Sequence, residues 1–273
     1  MRVCIVAVDG LEYRIVENLN LKNLMQNSYG TYPVAADRYN TPSLWASFIT
    51  GLQPEEHGIK MFVERRWGIH KLKKLIESLK LLGLARRFTR SKIGYKVFPI
   101  KPPTVRGKFK TIFDYAKKPL PYNVFSYNEE EEQFKLRYNF SITKVLEKKY
   151  LRRVAVLKWF ELTKKLMNNF LDLLTLRDWD LAMTHLYITD YIGHVMWGTR
   201  EFIKSYYLVD NFVKTIHEVI PDETLLLIVS DHGMWGGKHS DKAFYSFNKN
   251  ISWKPCSITD FYPKIISWLK GIF

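Results

Sequence analysis

Six side chains able to hold a divalent ion stand in a few short stretches of the sequence: Asp9, Asp190, His194, Asp231, His232 and His239. Asp9 closes an apolar run at 3–8 and precedes Gly10. Asp231 and His232 close a second apolar run at 225–229, so a carboxylate and an imidazole stand side by side. Asp190 and His194 are spaced i,i+4, which on a helical turn puts both on one face, able to grip one ion. His239 lies in the glycine-rich stretch 236–240, free to fold back over the others. A lone Asp-Gly after a strand is most often an ordinary turn. The convergence of three carboxylates and three imidazoles points instead to a metal centre. Mixed Asp/His sets suit zinc, with manganese or iron as alternatives, and suit magnesium or calcium poorly. Six ligands are the right number for two ions, and a pair about 4 Å apart clamps an in-line displacement at phosphorus.

Such chemistry needs a nucleophile. Thr41-Pro42-Ser43 reads as a helix start, with Thr41 at or near the N-cap and the proline in the first turn. A phosphoryl group bonded to Thr41 would meet the helix N-terminus, where backbone N–H groups and the dipole favour anions. A free threonine hydroxyl attacks poorly, and metal coordination would activate it. Ser43 is the local rival, and a plain N-cap is the alternative role for Thr41.

The elements around these residues alternate. Strands are expected at 3–8, 31–36, 122–126, 181–188 and 225–229. Helices are expected at 11–27, from 41 to a stop at Gly51, and at 110–117, 142–175, 201–219 and 257–271. Asp9, Asp190 and Asp231 then all fall at strand ends. Alternation of this kind implies an α/β domain with a mostly parallel sheet and helices on both faces, and sites outside the carboxyl ends of its strands. The whole chain, 1–273, reads as one such domain carrying an insertion at 60–118.

That segment holds 18 Lys/Arg against three acids, so the net charge of +15 is local to it. Helical spacing of apolar residues runs from Ile69 to Phe88, with cations on the other face. A solvated insertion, a lid that draws anionic substrates in by its field, and a surface docking on anionic lipid are the three roles it could take. Nucleic acid ranks below these. With 47% hydrophobic and 25% charged residues the composition is that of an ordinary globular protein, not a disordered one. No apolar run reaches the roughly 18 residues of a membrane span. Cys4 and Cys256 form no disulfide framework, and the start shows no leader pattern. The expectation is a cytoplasmic protein, with peripheral membrane contact through 60–118 as an option and no obligate protein partner.

Four motifs together resemble the alkaline phosphatase superfamily, in particular its type I phosphodiesterase/nucleotide pyrophosphatase branch. They are Val8-Asp9-Gly10, then Asn40 to Ser43 running on through Thr50 to Ile59, then Asp190 to His194, then Ser230 to Gly233 with His239. The resemblance implies an alkaline phosphatase-like fold and two metal ions, zinc ahead of manganese. One ion would be held by Asp9, Thr41, Asp231 and His232, and the other by Asp190, His194 and His239. It implies attack by Thr41 on a phosphodiester or nucleotide pyrophosphate, ahead of a monoester, to give a phosphothreonine that is then hydrolysed. His57 matches a family position and reads as a turn-stabilising residue. Leu44 stands where many relatives place a phosphate-binding Asn, and the phosphate-gripping Arg of alkaline phosphatases has no match. Asn40 and Lys238 are the candidate substitutes. A phosphotransferase or mutase on the same site, and an inactive membrane- or polyanion-binding protein, are the alternatives.

Overall fold

The computed structural model describes residues 1–35, 40–62 and 101–272. Its centre is a six-stranded sheet. We label β1 (Val3–Val8), β2 (Ser28–Pro33), β3 (Pro119–Tyr122), β4 (Leu181–Leu186), β5 (Leu225–Val229) and β8 (Lys242–Phe247), in the spatial order β2-β8-β5-β1-β4-β3. The pairs β5–β1, β1–β4 and β4–β3 are parallel, whereas β8 runs antiparallel to both β5 and β2. Every residue of β1, β4 and β5 is buried, as a sheet covered on both faces requires. A separate hairpin joins β6 (Gly233–Trp235) to β7 (Lys238–Ser240).

Among the described residues the helices are α1 (Tyr13–Asn18), α2 (Lys22–Met25), α3 (Thr41–Thr50), α4 (Pro54–His57), α5 (Glu131–Asn139), α6 (Ile142–Glu147), α7 (Lys149–Leu176), α8 (Ile188–Met196), α9 (Arg200–Val219) and α10 (Phe261–Leu269). Several depart from the expected bounds. The helix expected over 11–27 is two short pieces, because Asn20 takes a left-handed φ of 49° between them. A 3-10 turn, Ile112–Tyr115, replaces the helix at 110–117. The strand expected at 122–126 lies earlier, as β3, and carries Pro119 and Pro121. Among the described residues it pairs with β4 alone, so both prolines fit by turning their missing N–H away from that partner. Glu131 and Glu132 open α5, where acids complement the helix dipole. The expected 142–175 helix breaks at Lys148, and the strand to 188 stops at Leu186.

By compactness the chain divides into one unit of 1–60 with 104–273 and a second of 61–103. Val105, Ile112 and Phe113 are buried in the core of the first. The helix expected over 69–88 lies outside the described residues. Among the described residues no helix is long and apolar enough to cross a membrane. Cys4 is buried in β1, Cys256 is exposed, and both are free.

His185, in the middle of β4, is fully buried with its ring against Trp45 (4.6 Å), Phe125 (5.9 Å) and Tyr187 (4.3 Å). Neither ring nitrogen has a hydrogen-bond partner among the described residues. Burial, and then the Arg137 charge, push its pKa well below the ordinary imidazole value. The neutral ring therefore supports the fold fully above about pH 6.5. That support fades as pH falls from there toward the lowered value. His185→Phe is expected to be neutral or stabilising at pH 7, since no hydrogen bond is lost. It should also flatten the loss of stability below pH 6.5, which urea titrations of both proteins across that range would read. An unchanged acid limb would show that His185 does not contribute.

Candidate metal centre

The carboxyl ends of β1, β4 and β5 meet at one place. Asp9 follows β1, Asp231 and His232 follow β5, and Asp190 sits in the first turn of α8, four residues past the end of β4. The loops are tied to one another. Ser230 Oγ accepts the Leu11 N–H and donates to the His232 carbonyl, and the Gly10 N–H reaches Asp231 Oδ1 at 3.4 Å. Thr189 Oγ1 donates to the Asp9 carbonyl, pinning the start of α8 to the end of β1. Gly10, with φ +67°, allows this approach: a Cβ there would stand 3.0 Å from Asp190 Cα and 3.0 Å from Asp190 Cβ. Gly193 does the same for the hairpin, since its Cβ would meet Met234 Cγ at 2.5 Å.

The ligand atoms form two groups, each within 4.8 Å: Asp190, His194 and His239, and Asp9, Asp190 and His232. Asp190 belongs to both. Its Oδ1 lies 3.2 Å from His194 Nε2, 3.3 Å from His239 Nε2 and 3.9 Å from His232 Nε2. His232 Nε2 is 3.1 Å from Asp9 Oδ1 and 3.5 Å from Asp231 Oδ2. Thr41 Oγ1 stands 3.5 Å from Asp9 Oδ1 and 3.5 Å from His232 Nε2. All seven residues expected to act at the site are thus brought together. His194 and His239 are its half-exposed side, and the others are buried.

The donor set fits divalent ions. His194 Nδ1 and His232 Nδ1 each lie 3.0 Å from a backbone carbonyl, of Gly237 and Gly233. A carbonyl only accepts, so in the neutral ring the proton is on Nδ1 and the Nε2 lone pair faces the cluster. Asp190 Oδ1 and Asp231 Oδ2 are buried without a hydrogen-bond donor among the described residues. Protons alone balance the cluster poorly. Burial, then the charges of Asp231 and Asp190, push the Asp9 carboxyl well above the usual carboxylate range. Burial also opposes an ionised Asp190, yet His194, His239 and His232 outweigh it and hold that carboxyl below the usual range. Burial lowers His194 in turn, and the Asp190 carboxylate overrides this and raises it. Bound cations would relieve both the carboxylate repulsion and the crowding of His194 Nε2 and His239 Nε2, 3.0 Å apart.

Thr41 is the first residue of α3, and its cap is Asn40. Asn40 Oδ1 accepts from the Ser43 N–H and Oγ, and Asn40 Nδ2 donates to the Lys60 carbonyl at 2.7 Å. The amide considered for substrate is therefore largely committed to the cap, with one hydrogen to spare. Pro42 has no N–H and that of Ser43 is taken, so the first turn offers an anion chiefly the Thr41 N–H. Ser43 Oγ also donates to the Ile59 carbonyl at 2.6 Å, which ties down the rival nucleophile. Lys238 is exposed beside His239 in β7. Successive strand residues point to opposite faces, so a His239 aimed at the cluster turns Lys238 away from it. His57 holds the turn after α4: its Nδ1 accepts the Ile59 N–H, and its Nε2 lies 3.1 Å from Ser47 Oγ.

Two supports went unseen in the sequence. Glu12, fully buried, accepts from Ser240 Oγ at 2.7 Å and so anchors the strand that carries His239. Glu129 and Arg137 form a buried two-pronged ion pair, at 3.0 and 2.8 Å. Tyr187, which caps α8, donates to Glu129 Oε1 at 3.2 Å. Burial disfavours the guanidinium charge, but the Glu129 carboxylate outweighs it and raises the Arg137 pKa. Glu129→Ala would remove the carboxylate of this buried pair, at a cost of about 3–5 kcal/mol. The urea midpoint should fall accordingly, and a shift near zero would mean that water solvates Arg137 in the variant.

The chain belongs to the type I phosphodiesterase/nucleotide pyrophosphatase family, whose model matches residues 3–251. The fold resembles that of phosphonoacetate hydrolase from Sinorhizobium meliloti, at a TM-score of 0.50 and 14% identity over 85% of this chain and 56% of that one. It resembles the PH0037 protein from Pyrococcus horikoshii at 0.52 and 13% identity, over 98% and 97% of the two chains. Murine ectonucleotide pyrophosphatase/phosphodiesterase 5 matches at 0.46 and 14% identity, over 85% and 57%. The chain thus spans little more than half the length of the murine and Sinorhizobium proteins. No curated protein sequence matches it.

Proposed function

We propose that the chain is a two-metal phosphoesterase that hydrolyses phosphodiesters or nucleotide pyrophosphates in preference to monoesters, through a phosphothreonine on Thr41. The observation that carries this is the position of the Thr41 hydroxyl, 3.5 Å from both Asp9 Oδ1 and His232 Nε2 at the start of a helix. Family membership supports the reaction class. Asp9, Thr41, Asp231 and His232 would hold one ion, and Asp190, His194 and His239 the other, with zinc favoured over manganese by the imidazole-rich set. When bound, the ions would lower the pKa of the threonine hydroxyl and offset charge on the phosphoryl oxygens.

The remaining work is that of the chain. Thr41 Oγ1 bonds to phosphorus as the bond to the leaving alcohol or phosphate breaks, and water then cleaves the phosphothreonine to release the acid and restore the hydroxyl. Asp9, whose carboxylate has lone pairs beyond the one an ion would take, is the acceptor within reach of the hydroxyl proton. Burial of Asp9, Asp231 and His232 keeps bulk water from the inner side of the cluster. His194 and His239, on the exposed side, face the direction from which substrate enters. The test is release of nitrophenol from bis-p-nitrophenyl phosphate and from p-nitrophenyl phosphate, with zinc, manganese or chelator. Metal-dependent release, faster from the diester, is expected. Release that survives chelation would overturn the metal-based reading.

A further inference from the structure

Apart from the metal centre, α7 and α9 enclose a groove of about 860 Å³. Its floor is apolar, made by Val156, Leu157 and Phe160 of α7, Leu208 of α9 and Met196 at the end of α8. Its rim carries five cations, Lys149, Arg152, Arg153 and Lys164 from α7 and Lys204 from α9, against the single acid Glu201. None of the five forms a salt bridge among the described residues. Arg152 Nε is buried without a hydrogen-bond partner. Leu157 of that floor is 56% exposed, so the groove presents an apolar side chain to solvent.

The α7 start is unfavourable for the isolated chain. Its first turn holds no acid, while Lys149 and Arg153 are like charges at i,i+4 beside the positive end of the helix dipole. An anion held there would reverse each of these penalties. A polyanion lacking an apolar part would answer the rim and leave the floor open. A ligand with an anionic head and a long apolar chain answers both.

We propose that this groove docks an anionic phospholipid of a membrane surface, its phosphate on the cations at the start of α7 and an acyl chain along Val156, Leu157 and Phe160. The attachment uses a surface distinct from the metal centre and does not depend on what that centre hydrolyses.

Sedimentation of the full chain with phosphatidylcholine vesicles, with and without phosphatidylglycerol, tests it. Binding is expected only where phosphatidylglycerol is present. Each cation near such a surface strengthens binding about fivefold, so Arg153→Glu with Lys204→Glu should weaken it at least about 25-fold. Leu157→Ser keeps every charge and should weaken it about fivefold. Lys22→Glu with Lys270→Glu, at exposed cations outside the groove, should bind like the wild type. Melting temperatures of all variants check that they fold. The proposal is overturned if anionic vesicles do not bind the protein, or if the groove charge variant binds as well as the wild type. It is also overturned if Leu157→Ser leaves binding unchanged, or if a single-stranded polynucleotide binds as tightly as the vesicles, since either would mean charge attraction alone.

Discussion

Replacing Thr41 with alanine is expected to lower turnover of bis-p-nitrophenyl phosphate by about a thousandfold or more, the scale on which loss of a covalent nucleophile is felt. Folding should not account for the loss. Thr41 is the first residue of α3, and the cap that stabilises the helix comes from Asn40. Stability should therefore change by no more than about 1 kcal/mol. Thr41→Ser keeps a hydroxyl at the same place but frees χ1 by removing the methyl. It should retain measurable turnover at a reduced rate. Acid quenching of the wild type with a diester labelled on phosphorus should leave label on a peptide containing residue 41, and the alanine variant should leave none. Ser43→Ala is the counterpart. Its hydroxyl is held by Asn40 and Ile59, so its loss should reduce stability more than turnover. Full activity in Thr41→Ala, or label on Ser43 instead, would refute the assignment of the nucleophile.

What the sequence discloses follows from how local each signal is. β1 and β5 were legible because each is a continuous apolar run closed by an Asp, and the same runs put Asp9 and Asp231 at the site. α9 was legible as a helix over 201–219, and in the structure it starts at Arg200, with Thr199 accepting the Phe202 N–H. β8 was not. All but its first residue are buried, and its identity as a strand depends on pairing with β2 and β5, more than 200 and about 20 residues away in sequence. The sheet is consequently mixed at one side, in keeping with the mostly parallel arrangement that the alternation implied. Asp190 illustrates the same limit at the site. Its i,i+4 spacing to His194 was visible, but the end of β4 at Leu186 was hidden by the apolar Tyr187 and Ile188 that begin the next helix. Glu12 and Glu129 were missed because a buried acid announces itself only through its partner. Ser240 and Arg137 lie 228 and eight residues away, and nothing local marks them. Of the substrate-binding candidates, Asn40 carried an N-cap signature as strong as any functional one. Lys238 could be judged only once its strand fixed which way it points.

Asp190→Asn should cost the protein most of its metal. Asp190 alone belongs to both ligand groups, with its Oδ1 within 3.9 Å of three imidazole nitrogens. The asparagine keeps the shape and removes the charge, so packing beneath Gly10 survives while both groups lose a shared anion. Removing a residue that merely supports a ligand costs about 10–100-fold in metal affinity, and loss of a ligand to one ion whose charge also faces the other group should exceed that. His239→Ala touches one group only, and the contrast decides the matter. After dialysis against zinc at a concentration that just fills the wild type with two ions per chain, His239→Ala should carry about one and Asp190→Asn well under one. Melting temperature gives an independent reading, because an ion that binds only the folded chain stabilises it by an amount set by its concentration over its dissociation constant. Zinc should raise the melting temperature of the wild type most, of His239→Ala less, and of Asp190→Asn hardly at all. If Asp190→Asn holds two ions and melts with the same zinc dependence as the wild type, the two groups are independent and Asp190 is a spectator between them. If His239→Ala loses both ions together, the groups form one cooperative unit in which either ion requires the other to balance the buried carboxylates of Asp9, Asp190 and Asp231.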